Sequence, residues 1–244
     1  MLRKHKNLDK KIWVQNDKLH SDVQDMLLSI VWCFIDFLRN KHDLHIKNSD
    51  VKDIILFGSM TNYFYTKKSD IDICIVLDMT GLSKQYPNLN IAQTLKLYYY
   101  DWAMIHLCNI KGRKIDLNIE DMNNNPFGGR YRTGSNYSLL NKEWIFKQTP
   151  ISDDDFKKIR KSGIALYKRI MQDYNKVKHD GFQMQDMENL YKNIMASKRA
   201  TYNLNYQQVI TPMYIAFNEL KKHHIIDKMH NKIIQIQTKK FTLK

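Results

Sequence analysis

Three cysteines in 244 residues are too few for a disulfide framework. Cys33, Cys74 and Cys108 also have no paired spacing that would make a zinc site. A chain without disulfides fits a reducing compartment, so a cytoplasmic location is expected. Long apolar runs are missing as well. The most apolar region, around Met26 to Leu38, is interrupted by Asp36 and is shorter than the ~20 residues that span a bilayer. Met1-Leu2-Arg3-Lys4-His5-Lys6 has no apolar stretch behind it, which argues against a signal peptide. Gly128-Gly129 is not a Walker loop, because no Gly-Lys-Ser/Thr follows. No Ser-His-Asp or Cys-His arrangement stands out, and His223-His224 lacks a matching metal-ligand partner. There is no internal repeat. The last shortage is acidic charge: 25 Asp and Glu face 39 Lys and Arg, for a net charge of +14.

A chain that is 43% hydrophobic and 11% aromatic can bury a core and is not globally disordered. The basic excess has two readings. Either the chain meets a polyanion, nucleic acid before anionic membrane, or its composition simply favours Lys, Asn, Ile and Tyr. The excess is uneven: residues 151–244 hold 18 Lys and Arg against 9 Asp and Glu, a net +9. A nucleic-acid partner is the expectation, with no membrane.

Hydrophobic spacing divides the chain. Residues 1–20 read as a basic N-terminal arm. From Ser21, a possible cap, Val23, Met26, Leu27, Ile30, Val31, Phe34 and Leu38 fall at helical steps. Ile54 to Phe57 is a short apolar run that suits a central strand. Met60 to Thr66 is expected as a short helix, Lys67-Lys68-Ser69 as a turn, and Ile71 to Leu77 as a second strand. A loop over Gly81 to Asn90 leads to an amphipathic helix over Ile91 to Cys108, capped by Asn90, with Ile91, Leu95, Tyr98, Trp102 and Ile105 on its stripe. Lys114 to Ile119 alternates as a third strand, with Ile115, Leu117 and Ile119 on one face and Asp116 on the other. Asp121 to Asn136 is a polar, glycine-rich loop. Ser152-Asp153-Asp154-Asp155 has the spacing of a capping box and starts a helix that runs to His179. Further helices are expected near Met184 to Asn203 and Pro212 to His224, and a basic tail, strand or disordered, from Lys232. The fold class is α/β (α+β): a small mixed twisted sheet flanked by helices over 21–150, followed by a helical region over 151–244.

Asp70 and Asp72 carry the chemistry. Strand side chains alternate faces, so the two carboxylates share one side. They repel unless a cation lies between them. Gly58-Ser59 upstream can open a helix whose free N–H groups meet a phosphate. If the later strand is a neighbour, Asp116 joins the pair, and three carboxylates suit two-metal phosphoryl transfer. Glu120 and Asp121 compete with Asp116 for that role.

Gly58-Ser59, followed by Ser69-Asp70-Ile71-Asp72-Ile73 and apolar residues, resembles the signature of the nucleotidyltransferase superfamily. That superfamily includes DNA polymerase beta, poly(A) polymerases, tRNA CCA-adding enzymes, aminoglycoside nucleotidyltransferases and bacterial second-messenger synthases. Asp116 in Lys114-Ile115-Asp116-Leu117 is similar to the third carboxylate position. The motifs cover about residues 50 to 120. The resemblance implies a domain at 21–150 that moves a nucleoside monophosphate from an NTP to an acceptor hydroxyl, with release of pyrophosphate. It implies two Mg2+ ions, or Mn2+, held by Asp70, Asp72 and Asp116. It implies a triphosphate contact from Ser59, and Gly58, Lys68 and Ser69 are further candidates for nucleotide contact. Arg130 and Arg132 are candidates for acceptor or phosphate contacts. The basic charge points to an RNA acceptor, a tRNA 3′ end among them. The alternatives are transfer to a small molecule or a protein, as in antibiotic-modifying or toxin–antitoxin relatives, and a catalytically inactive nucleic-acid-binding protein on the same fold.

Overall fold

The computed structural model describes residues 3–14, 17–123, 134–179, 184–203 and 210–242. They form two compact units, Arg3–Thr149 and Pro150–Lys244.

In the first unit, α1 (Ser21–His42) buries Val23, Leu27, Val31, Phe34, Ile35 and Leu38 along one stripe. Ser21 is its first helical residue rather than its cap; His20 takes the N-cap position without a side-chain bond. A six-stranded sheet follows from β1 (Val51–Phe57), β2 (Ile71–Leu77), β3 (Asn109–Ile110), β4 (Arg113–Asp121), β5 (Asn136–Ser138) and β6 (Glu143–Phe146). The strand order is β3-β4-β2-β1-β5-β6. The β2–β4 pair is parallel and the others are antiparallel, so the sheet is mixed. The parallel pair needs a crossover. It is made through α2 (Thr80–Gln85) and α3 (Ile91–Ile105), where Asn90 accepts the Gln93 N–H as an N-cap.

One face of the sheet is continuous hydrocarbon. Ile54, Leu56, Ile71, Ile73 and Ile75 are fully buried on it. Phe34 of α1 meets Tyr99 and Trp102 of α3 edge-on, at centroid distances of 5.9 and 5.4 Å. Burying a ring of this size contributes about 1.5–3 kcal/mol. The other face carries a small buried cluster of Ile55, Phe57, Cys74 and Val76. Burial pushes the Cys74 thiol far up, so it stays neutral filler.

Four local expectations change. The stripe of α3 runs through Tyr99, not Tyr98, and Ile105 is exposed; Tyr98 instead stacks on His42 at 3.6 Å. Residues 81–85, expected in a loop, belong to α2 (Thr80–Gln85), with Leu82 buried and Asp78 accepting the Thr80 N–H. Met60 to Thr66 is not a helix. A four-residue 3₁₀ turn, Gly58–Thr61, gives way to extended chain whose side chains from Met60 to Phe64 are buried. Nor do the described residues of the expected N-terminal arm, 3–14 and 17–20, stand free of the core. Leu8, Ile12, Trp13 and Leu19 are buried, and Trp13 stacks on Trp144 at 4.7 Å. The basic composition of this segment hid four well-spaced apolar anchors.

The second unit packs α4 (Asp153–His179), α5 (Met184–Asn203), α6 (Pro212–Lys222) and α7 (Ile225–Thr242). Its core includes Ile170, Met187, Ile194, Phe217, Leu220 and Met229. Ser152 caps α4 as its spacing predicts, its hydroxyl accepting the Asp155 N–H and donating to the Asp155 carboxylate. Thr211 caps α6, whose first residue is Pro212. The tail is helix rather than strand or coil, because Ile225, Ile226, Met229 and Ile233 return to one face and bury it. No helix among the described residues is long and apolar enough to cross a membrane.

Candidate active site

β1, β2 and β4 place the acidic residues. In the parallel β2–β4 ladder, Asp72 lies directly across from Asp116, on strands about 4.8 Å apart. Both are half-buried. Register also separates Asp116 from its rivals. Glu120 lies opposite Val76 and Asp121 opposite Leu77, about 13 Å and more along the strand. Asp121 instead accepts N–H groups from Met79 and Asn123 and ties the far end of the sheet.

Phe57 of β1 pairs with Asp72 from the other side, and the chain turns away at Gly58. Gly58 has φ +76°, and a Cβ there would lie 2.2 Å from Oδ2 of Asp72. Only glycine meets both conditions, a left-handed backbone and a carboxylate against the α-carbon. The Gly58 carbonyl accepts the Asn62 side-chain amide, which closes the turn. The expected helix opening at Gly58-Ser59 is only this 3₁₀ turn. Ser59 is half-buried, and its hydroxyl has no hydrogen bond among the described residues.

Asp70 sits one residue before β2 and is exposed. Its carboxylate has no hydrogen bond or ion pair among the described residues. The structure therefore brings Asp72 and Asp116 together and leaves Asp70 at the entrance. Among the described residues, no group of three or more His, Cys, Asp or Glu side chains converges as a metal cage. The Asp72–Asp116 pair still fits a divalent cation by its chemistry. It offers hard carboxylate oxygens side by side on one sheet face, and carboxylates in that arrangement repel unless a cation joins them. Ser69 is engaged locally: its hydroxyl accepts the Thr66 N–H and closes the turn that Lys68 tops. Lys68 is exposed. Arg130 and Arg132 lie outside the described residues.

Two partners of the site were not foreseen. Tyr99 donates from its hydroxyl to Oδ1 of Asp116 at 3.1 Å. The ring is buried, which pushes the phenol up to about 12, so it remains a donor. In sequence it was one ring in Tyr98-Tyr99-Tyr100-Trp102, and nothing in the spacing singled it out. Arg113, the first residue of β4, donates from one nitrogen, Nη1, to the carbonyls of Thr66 and Ser69, both at 2.8 Å. Its other terminal nitrogen pairs with Asp9. Only its position three residues before Asp116 hinted at a role.

Residues 41–128 match the family model described as "Polymerase beta, Nucleotidyltransferase". The match runs from the last residues of α1 through β1, the Gly58 turn, β2, α3 and β4, and so includes Gly58, Ser59, Lys68, Ser69, Asp70, Asp72, Tyr99, Arg113 and Asp116, with Asp9 outside it. No curated protein and no solved structure matches the chain.

Proposed function

We propose that the chain, whose residues 41–128 match the polymerase beta nucleotidyltransferase model, is a metal-dependent enzyme that transfers a nucleoside monophosphate from an NTP to an acceptor hydroxyl. The observation that carries this reading is the register of Asp72 against Asp116, beside a turn that only Gly58 can make. Asp72 and Asp116 would hold a divalent cation, Mg2+ or Mn2+, and Asp70 would join them from the entrance to complete a two-ion site. When bound, such ions neutralise the triphosphate and lower the pKa of the attacking hydroxyl.

The protein's own part is positioning. The Ser59 hydroxyl binds a phosphate oxygen of the NTP, and Gly58 lets that phosphate approach the backbone next to Asp72. Lys68 adds positive charge at the mouth. Tyr99 holds one oxygen of Asp116. The other oxygen takes the proton of the acceptor hydroxyl as that hydroxyl's oxygen bonds to the α-phosphorus. The bond from the α-phosphorus to the bridging oxygen breaks, and pyrophosphate leaves.

RNA is the acceptor favoured by the net +14, of which +9 lies in residues 151–244. The test is incubation with Mg2+, each labelled NTP in turn, and total RNA or protein. Label that appears with the wild type and not with Asp70→Ala/Asp72→Ala supports the reaction. Equal labelling by both refutes it. Acceptor binding then decides the class: an RNA acceptor weakens steeply with added salt, and a flat response rules it out.

A further inference from the structure

The chain from Gly58 to Ser69 links the two halves of the site, Ser59 at one end and Asp70 just past the other. Its carbonyls are gripped from outside by residues remote in sequence. Trp13 donates its ring N–H to Met60 O at 2.7 Å. The His5 backbone donates to Tyr63 O at 2.8 Å, and the His5 ring donates to Tyr65 O at 3.0 Å while stacking on the Tyr65 ring at 4.0 Å. Arg113 takes Thr66 and Ser69 and lies over the Tyr65 ring at 5.9 Å. The Asp9 carboxylate completes the arrangement on Arg113.

The Asp9 and Arg113 side chains are only 9% and 6% exposed. A buried ion pair is a poor way to gain stability, since an apolar pair of the same volume serves as well or better. What it does supply is direction. A planar guanidinium has five donors in a fixed fork, so one nitrogen spans two carbonyls while the other is locked by a carboxylate. A lysine ammonium cannot reproduce that fork. The turn held this way ends one residue before Asp70.

We propose that Asp9 and Arg113 are positioning residues of the transfer reaction: their buried pair fixes the Thr66–Ser69 turn, and through it the backbone that presents Asp70 to Asp72 and Asp116. The proposal rests on the assignment of Asp70 to the site. It makes the N-terminal segment part of the active-site scaffold.

Hydrogen exchange on the full-length chain tests the grip independently of activity. Wild type is compared with Arg113→Lys, Asp9→Asn and the apolar double variant Asp9→Leu/Arg113→Met, whose packing preserves the fold without the fork. Amides of residues 66–70 are expected to exchange at least about tenfold faster in each variant, with α6 as an unchanged internal reference. In parallel, transfer kinetics are expected to show kcat lower by about 10–100-fold and a higher Mg2+ requirement, with the KM for NTP within about twofold. Unchanged exchange at 66–70 overturns the proposal. So does exchange that rises equally in α6, or kcat and Mg2+ requirement that stay at wild-type values in a variant whose turn has loosened. A wild type that transfers nothing refutes the reaction instead, and faster exchange confined to the turn still supports the grip on Asp70.

Discussion

The two units hold their shape by different means. In Arg3–Thr149, polar side chains reach backbone carbonyls remote in sequence: Gln24 reaches Leu139 O, Trp13 reaches Met60 O, and Arg113 reaches Thr66 O and Ser69 O. Among the described residues of Pro150–Lys244, Thr211 caps the start of α6, Asn218 bonds to a carbonyl one turn back in its own helix, and the core includes Ile, Met, Leu and Phe side chains. Apolar packing tolerates rearrangement, because many weak contacts can be redistributed. A hydrogen bond to one carbonyl cannot, since it weakens steeply when misaligned. The first unit is therefore built for placement of groups within fractions of an ångström. The second is built to be a stable, basic helical body.

Substitutions can break or sharpen that contrast. The largest effect is expected at Gly58. Gly58→Ala forces a Cβ into the Asp72 carboxylate at a left-handed backbone position, which costs about 1–2 kcal/mol for the conformation alone. Displacing Asp72 should lower kcat at least about 100-fold. A Gly58→Ala enzyme with normal kcat would remove Asp72 from the mechanism.

Gly163→Ala is the counterpart in the helical unit. Its Cβ would lie 2.6 Å from the Ile215 Cβ and 2.9 Å from the Pro212 carbonyl. Overpacking of this kind costs about 1–3 kcal/mol. The expected outcome is a lower melting temperature with per-molecule activity unchanged at a temperature where the chain is folded. Lost activity at full folding would show that the helical unit is not merely a body.

Tyr99→Phe removes one hydrogen bond and little else. A drop in kcat of about tenfold is expected, with the KM for NTP unchanged, measured by steady-state transfer. Equal kcat would mean that Asp116 needs no outside hold.

The smallest effect is at Asp53, on the site face of β1. Burial pushes its carboxyl above the usual aspartate range, against the opposing hydrogen bond from Ser138. With the folded pKa raised, the protonated form is favoured by folding, so this group's contribution to stability falls as pH rises from the unfolded pKa through the folded one. Asp53→Asn should therefore raise the melting temperature at pH 7, by about 2 °C, and should have no such advantage at pH 3. A melting temperature unchanged or lowered at pH 7 would contradict the burial argument.

Much of the fold was legible because periodicity is local. The alternation of Ile115, Leu117 and Ile119 put Asp116 on the opposite face, and β4 keeps that phase. The capping box at Ser152 and the apolar run of β2 were equally readable. The tail and α2 were not, since charge and a nearby Gly or Pro obscured short amphipathic patterns. The burial of Trp13 is hidden for a related reason: it depends on Tyr137 of β5, Trp144 of β6 and the Met60 carbonyl of the Gly58 turn, which no window of the sequence contains.

The amino-acid sequence by itself singled out the residues proposed for this chemistry: a glycine before a serine, two aspartates at strand spacing, and a third on an alternating strand. These are consequences of the 2.0-residue strand period and of glycine's backbone freedom, both properties of neighbouring residues. The tertiary structure alone decided that Asp72 meets Asp116 rather than Glu120, because register is set between strands that are 44 residues apart. It also decided that Tyr99 meets Asp116, and that Arg113 meets Asp9, Thr66 and Ser69. A hydrogen bond between residues this distant is written into no local pattern; it exists only once the sheet has brought its ends together.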